Sequence, residues 1–217
     1  YNTSAIHPHP YASAFYGFNK GFKHFDNIVQ KSEIKAMKGS KINWLIFNLP
    51  KIIFKKGKVS PWEKFYGKIL EWVKSCGKPY FLWVFLLDTH TPYFPPEKKW
   101  CSLSYWKLVY LFWKIDRRGW KSGSKAEIEE VKNAYDDLIY YADKFIGRLW
   151  EDLEKDDPIF IIHADHGDGL GEHGFYRHPL LLYEELVHVP LVIYNADVKG
   201  RIDKPVSLRG LAPTILE

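Results

Sequence analysis

The chain has 217 residues, 46% apolar and 26% charged, which excludes wholesale disorder and leaves room for one domain with a sizeable core. A net charge of +5, gathered at residues 51–58 and 114–125, suits an anionic substrate or surface. No helix-turn-helix, finger or base-stacking pattern accompanies it, so nucleic acid is not the expected partner. Cys76 and Cys101 form neither a disulfide framework nor a metal knuckle, and no apolar run approaches the roughly 20 residues of a membrane span. The chain opens at Tyr1 without a secretory signal and stops inside a helical pattern, so both ends read as cut edges. Compartment and oligomeric state stay open, the cytoplasm being slightly favoured.

Turn-rich residues give way to strand, helix, strand, long helix, strand, loop, strand and helix, the order of an α/β layer fold with a mostly parallel sheet. Ser60-Pro61-Trp62-Glu63 is a capping box with proline at the first helical position. Trp62, Phe65, Tyr66, Ile69, Leu70 and Val73 then recur at helical spacing until Gly77 and Pro79. Residues 80–87 are continuously apolar, as in a strand covered on both faces, with Asp88 just past the end. Residues 100–121 mix aromatic rings with Lys and Arg in no clean period, and 97–123 reads as an insertion or lid. Ser124-Lys125-Ala126-Glu127 is a second capping box, opening an amphipathic helix that runs to about Lys155. A short apolar strand at 158–163 follows, then a glycine-rich loop, a buried strand at 189–194 and a helix from Leu208.

Chemistry gathers where the strand at 158–163 ends. In open α/β sheets ligands bind beyond the carboxyl ends of strands, and Asp165 and His166 stand there. Gly167 lets the backbone turn and aim both side chains at one point, and a carboxylate beside an imidazole can ligate a divalent cation. A polar turn satisfied by its own backbone is the other reading.

The surrounding motifs sharpen the choice. Ala-Asp165-His166-Gly-x-x-Leu-Gly-Glu-His-Gly, then His178 five residues before Tyr183-Glu184-Glu185, then Val189-Pro190-Leu191, resembles the Ser-Asp-His-Gly segment of the sulfatase family in the alkaline phosphatase superfamily. His90-Thr91-Pro92-Tyr93 resembles the family's His-x-Pro-Tyr element, and Leu211-Ala212-Pro213-Thr214 a later helix. The stretch from Tyr1-Asn2-Thr3 to Phe25-Asp26 resembles the family's Gly-Tyr-x-Thr region, so ordered matches cover nearly the whole chain.

The resemblance implies an alkaline-phosphatase-like three-layer α/β/α fold with a mostly parallel central sheet, and a metal-dependent hydrolase of sulfate esters. It implies Asp165 and His166 as ligands of one divalent metal, commonly calcium, with manganese or zinc in relatives; the imidazole tilts the choice toward softer ions. His90 would touch the sulfate or protonate the leaving oxygen, His178 would contact the anion, and Arg177 would add a contact or point outward. Glu172 and His173 are expected to brace the loop, His163 to be a packed or outer-layer histidine, and Glu184 and Glu185 to begin a helix. The family's Cys/Ser-x-Pro-x-Arg nucleophile motif and its paired aspartates do not occur here, and neither Cys76 nor Cys101 can supply the nucleophile. The 217-residue chain alone is therefore expected to be inactive or nearly so. Where many relatives carry Lys-x-His this chain has His7-Pro8-His9-Pro10, and Gly210 replaces an expected Asp. Two alternatives stand beside sulfate ester hydrolysis. One is a phosphodiesterase, phosphomonoesterase or phosphoryl-group transferase of the same superfamily; the other is a non-catalytic module binding an anionic glycan or partner.

Overall fold

A computed structural model describes residues 1–28 and 61–217; the basic run at 51–58 and Ser60 of the first capping box lie outside the described residues. Strand β1 (Asn2–His7) is the middle of a three-stranded sheet, with β2 (His24–Asn27) on one side and β3 (Tyr80–Val84) on the other. Both pairings are parallel, with Ala5 beside Phe25 and Trp83, so the carboxyl ends of the three strands point the same way. A central strand is shielded by its neighbours, and Ser4, Ala5, Ile6 and His7 are fully buried.

Helix α1 (Glu63–Cys76) packs against β1 and buries Phe65, Tyr66, Ile69 and Val73 along one face, the spacing expected of its apolar residues. Trp62, at its start, is the hub of an aromatic cluster, its ring centroid 5.5 Å from Tyr66, 5.6 Å from Phe145 and 5.7 Å from Tyr141. Such edge and tilted contacts each contribute about 0.5–1.5 kcal/mol beyond the area they bury. The two tyrosine hydroxyls are satisfied, Tyr66 donating to Asp152 and Tyr141 to Glu63, whereas the buried Trp62 indole N–H has no hydrogen-bond partner among the described residues.

Helix α2 (Tyr105–Arg117) occupies the segment that shows no clean period in sequence. Leu108, Leu111, Phe112 and Ile115 face the core, while Trp106 and Tyr110 face outward at 66% and 61% exposure. Aromatic residues on both faces hide the 3.6-residue repeat from a reading of polarity alone.

Helix α3 (Lys125–Leu153) begins with only half of the expected capping box. Ser124 Oγ accepts from the Glu127 backbone N–H at 3.3 Å, but the Glu127 carboxylate turns inward to Lys114 at 2.9 Å, to Arg118, and to the Tyr176 hydroxyl at 3.1 Å. Burial opposes its ionisation, yet the donors outweigh burial and bring the Glu127 pKa down from 4.5 to about 2. A folded value below the unfolded one means that the cluster stabilises the fold above pH 4.5 and that this contribution fades as pH falls toward 2. Glu127→Gln should cost about 1–3 kcal/mol in urea unfolding at pH 7. The deficit should shrink as the same titration is repeated at falling pH.

Strand β4 (Phe160–His163) pairs antiparallel with β7 (Leu191–Tyr194), and a short hairpin joins β5 (Gly169–Leu170) to β6 (Tyr176–Arg177). Helices α4 (Glu184–Val187) and α5 (Leu211–Leu216) follow the hairpin and β7. Here the apolar runs promised more cover than the described residues supply. Trp150 of α3 covers one face, its ring 5.6 Å from Phe160 and 4.7 Å from Tyr194. Val192, Ile193 and Tyr194 nevertheless remain 42–52% exposed, and Phe81 of β3 is also exposed, so neither run is buried on both faces as expected. His163 is likewise exposed rather than packed, its Nδ1 against the Ala164 carbonyl at 3.2 Å. Among the described residues no helix is long and apolar enough to cross a membrane.

Candidate active site

The parallel sheet brings two connections to one end: the loop from β1 carries His9, and the turn after β3 carries Asp88 and His90. β4 ends at His163 and hands the chain to Asp165 and His166. The β5–β6 pairing sets Gly169 opposite Arg177, so residues 168 and 178, one step further out, must meet. They do, with His178 Nδ1 2.6 Å from Asp168 Oδ1. The His178 ring centroid lies 4.2 Å from that of His166 and 5.2 Å from that of His90, and His166 Nε2 is 3.9 Å from Asp165 Oδ1. The four side chains singled out from the motifs thus adjoin one another in a chain of short contacts.

Their hydrogen bonds assign their protons. His90 Nδ1 faces the Thr91 carbonyl at 2.6 Å and His166 Nδ1 the Gly167 carbonyl at 2.9 Å, while His178 Nδ1 faces a carboxylate. Carbonyl and carboxylate oxygens accept, so in each ring Nδ1 carries the hydrogen and, in the neutral form, Nε2 carries the lone pair. His9 has the opposite arrangement. Its Nδ1 accepts from the backbone N–H groups of Tyr11 at 3.2 Å and Ala12 at 3.0 Å, which leaves Nε2–H as a donor. Burial lowers the pKa of His9, with Asp165 raising it and His166 lowering it, so its ring lies within electrostatic reach of the β4 tip. His7 is instead packed between Phe25 and Trp83, at 5.1 and 5.3 Å, and burial, with His9 adding to it, pushes its pKa down to about 4.

Two participants escaped sequence reasoning. Asp168, its side chain only 6% exposed, accepts from His178 through Oδ1 and from the Tyr93 hydroxyl through Oδ2 at 2.7 Å. Burial opposes its ionisation, but these bonds prevail and hold its carboxyl below the usual range. Trp120, from the segment after α2, lies under the Arg177 guanidinium at 3.9 Å and donates through Nε1 to Asp116 at 3.1 Å. Arg177 therefore does not point outward. Trp120 and Arg177 both have positive φ, 66° and 75°, a conformation that costs a side-chain-bearing residue about 1 kcal/mol or more and that neighbours must hold. The strap that holds them is visible: Tyr176 N–H donates to the Trp120 carbonyl at 2.8 Å and Ser122 N–H to that of Gly174 at 2.9 Å.

With the site in view, comparison with known proteins gives a consistent result. The sulfatase family profile matches residues 1–217, the whole chain. The chain belongs to the sulfatase family. It is 32% identical to an arylsulfatase of Clostridium perfringens over 43% of the chain and 21% of that protein. It is 33% identical to phosphoethanolamine transferase EptA of Helicobacter pylori over 33% of the chain and 15% of that protein. Arylsulfatase K of Mus musculus is 29% identical over 55% of the chain and 22% of its own length. The chain thus spans about a fifth or less of the curated relatives it matches. No solved structure matches it significantly. Family membership carries the alkaline-phosphatase-like α/β fold, and the parallel β1–β3 sheet flanked by helices agrees with it.

A divalent metal is typical of sulfatases, and the side chains here can be tested against one. His166 suits a ligand role: its Nδ1–H is anchored on a carbonyl, the arrangement that orients a metal-binding imidazole and leaves Nε2 for the ion. Asp165 Oδ1 lies near enough to share an ion with it after a small rotamer change, and both side chains are open to solvent, at 55% and 40% exposure. Among the described residues one trio, His166, Asp168 and His178, has ligand atoms all within 4.8 Å of one another. Nitrogen and carboxylate oxygen together are a donor set for zinc or manganese as readily as for calcium. The other expected residues take the places of braces. Glu172 accepts from Leu170 N–H at 2.7 Å and pairs with Lys132, while His173 stacks on Tyr183 at 3.8 Å and meets Glu185 at 3.1 Å. Glu184 and Glu185 begin α4.

Proposed function

We propose that this sulfatase-family chain serves a metal-dependent hydrolase of sulfate esters, with Asp165 and His166 as ligands of one divalent ion and His90, His178 and Arg177 around the transferred anion. The observation that carries the reading is the gathering of His90, His166 and His178, each with Nδ1 as donor and Nε2 as the lone-pair nitrogen in its neutral form. A bound divalent ion would draw negative charge off the sulfuryl oxygens. When the ester S–O bond breaks, the departing alkoxide needs a proton. A protonated imidazole supplies it, and His90, anchored through Nδ1, would give it from Nε2. Arg177, half-buried on Trp120, would hold a second oxygen of the anion, so segment 97–123 shapes the anion site.

A second reading keeps the site and changes the substrate to a phosphate ester or a phosphoryl-linked group. It is supported by the likeness to a phosphoethanolamine transferase. The intact protein assayed on nitrophenyl sulfate and nitrophenyl phosphate separates the two. Turnover of the sulfate, abolished by a chelator and restored by a divalent ion, is the expected result. Preference for the phosphate transfers the assignment to phosphoryl chemistry; inertness toward both, with metal bound, makes the protein an anion-binding module.

A further inference from the structure

We infer that Asp168, itself held by Tyr93, is the positioning residue that locks the His178 ring with Nε2 turned toward His90 and His166; the inference rests on the reading of His178 as an anion-contacting group. An imidazole on a flexible side chain can swing about its terminal torsion, which is broad and roughly two-fold. A flip would exchange a nitrogen for a carbon at the working edge. The 2.6 Å bond from His178 Nδ1 to Asp168 Oδ1 removes that freedom and selects the tautomer with its lone pair on Nε2.

Asp168 could not do this if it were itself loose. Its second oxygen accepts from Tyr93 at 2.7 Å, across 75 residues of sequence, and Tyr93 is 1% exposed, its ring wedged against Phe112 at 5.6 Å and Tyr135 at 5.1 Å. The hairpin register fixes the other side, since Gly169 opposite Arg177 leaves residues 168 and 178 no other neighbour across the ribbon. A core tyrosine, a buried carboxylate and an imidazole therefore stand in line, from the interior to the site. Asp168 has an oxygen within 4.8 Å of ligand atoms of His166 and His178, but each of its oxygens already accepts one hydrogen bond, so an ion there would have to share the carboxylate with His178 and Tyr93. The carboxylate acts through His178 and does not touch the ion or the substrate.

The experiment is a double-mutant cycle in the intact protein, using whichever nitrophenyl ester it turns over, with bound metal measured for every variant. Asp168→Asn should lower kcat about a hundredfold or more with little change in KM and metal content. In the His178→Ala background it should add almost nothing, because the residue it orients is gone. Tyr93→Phe, which removes one hydroxyl and keeps the ring, should lower kcat about threefold to tenfold. In protein carrying 15N-labelled histidine, His178 should be an Nδ1–H tautomer in the wild type and lose that preference in Asp168→Asn. Unchanged kcat, losses that multiply in the double variant, loss of the ion from Asp168→Asn or an unaltered His178 spectrum would each overturn the inference. Activity that survives His178→Ala sinks the underlying reading of His178 instead. If Asp168→Asn unfolds, Tyr93→Phe decides: a threefold to tenfold loss of kcat with a weakened Nδ1–H preference at His178 upholds the inference, and an unchanged kcat with an unaltered His178 spectrum overturns it.

Discussion

Replacing His166 or Asp165 by alanine should strip the divalent ion from the intact protein and lower turnover about a thousandfold or more, since a Lewis acid on a transferred sulfuryl or phosphoryl group is worth several kcal/mol. In the proposed site the two residues would offer different atoms to one ion at the end of β4, Nε2 of an imidazole anchored on the Gly167 carbonyl and Oδ1 of a carboxylate 3.9 Å away. Elemental analysis of both variants, set beside kcat, checks the expectation. His166→Ala should lose the anchored donor outright, whereas Asp165→Asn, which keeps an oxygen and loses the charge, should bind the ion more weakly but detectably. Stoichiometric metal retained in both alanine variants would remove the site.

The second large effect concerns His90. A general acid contributes about a hundredfold to ten-thousandfold, and it matters most when the leaving oxygen is most basic. His90→Ala should therefore abolish turnover of an alkyl sulfate while sparing much of the turnover of nitrophenyl sulfate, whose departing phenolate is stable without a proton. A loss of equal size on both substrates would make His90 an anion contact and move the acid elsewhere in the cluster. In either role the Nδ1 bond to Thr91, 2.6 Å from ring to backbone carbonyl, fixes the direction of Nε2.

Much of the frame is legible in sequence. The apolar stripe of α1 and the long helix α3 appear where helical spacing places them, and β4 delivers Asp165 and His166 to a strand end. What is hidden follows a pattern. Asp168 sits in a glycine-rich loop with no period to mark it, and its partners are 10 and 75 residues away. Trp120 looks like one more aromatic residue in an irregular stretch; only the pairing of that stretch with β6 shows that it carries Arg177. The capping glutamate of α3 is drawn away by stronger partners, because two cations and a phenol in a buried pocket outcompete a single backbone N–H. Apolar runs such as 189–194 mark surfaces that can accept cover, and cover is a property of neighbours that a local pattern does not contain.

Gly167 lies between the β4 tip and helix α4, its N–H donating to the Leu186 carbonyl at 2.9 Å, and a Cβ built on it would come within 2.0 Å of the Glu185 carbonyl oxygen. The backbone behind Asp165 and His166 is thus clamped against a helix with no slack for even a methyl group. With Asp165 and His166 as the proposed ligands, ions of different radius would be accommodated by rotation of the two side chains, over the few tenths of an ångström that separate bonds of about 2.1 Å from bonds of about 2.4 Å. Gly167→Ala makes that clamp a test of ion choice: by prying the tip from α4 it should blur discrimination between small and large divalent ions before it abolishes binding.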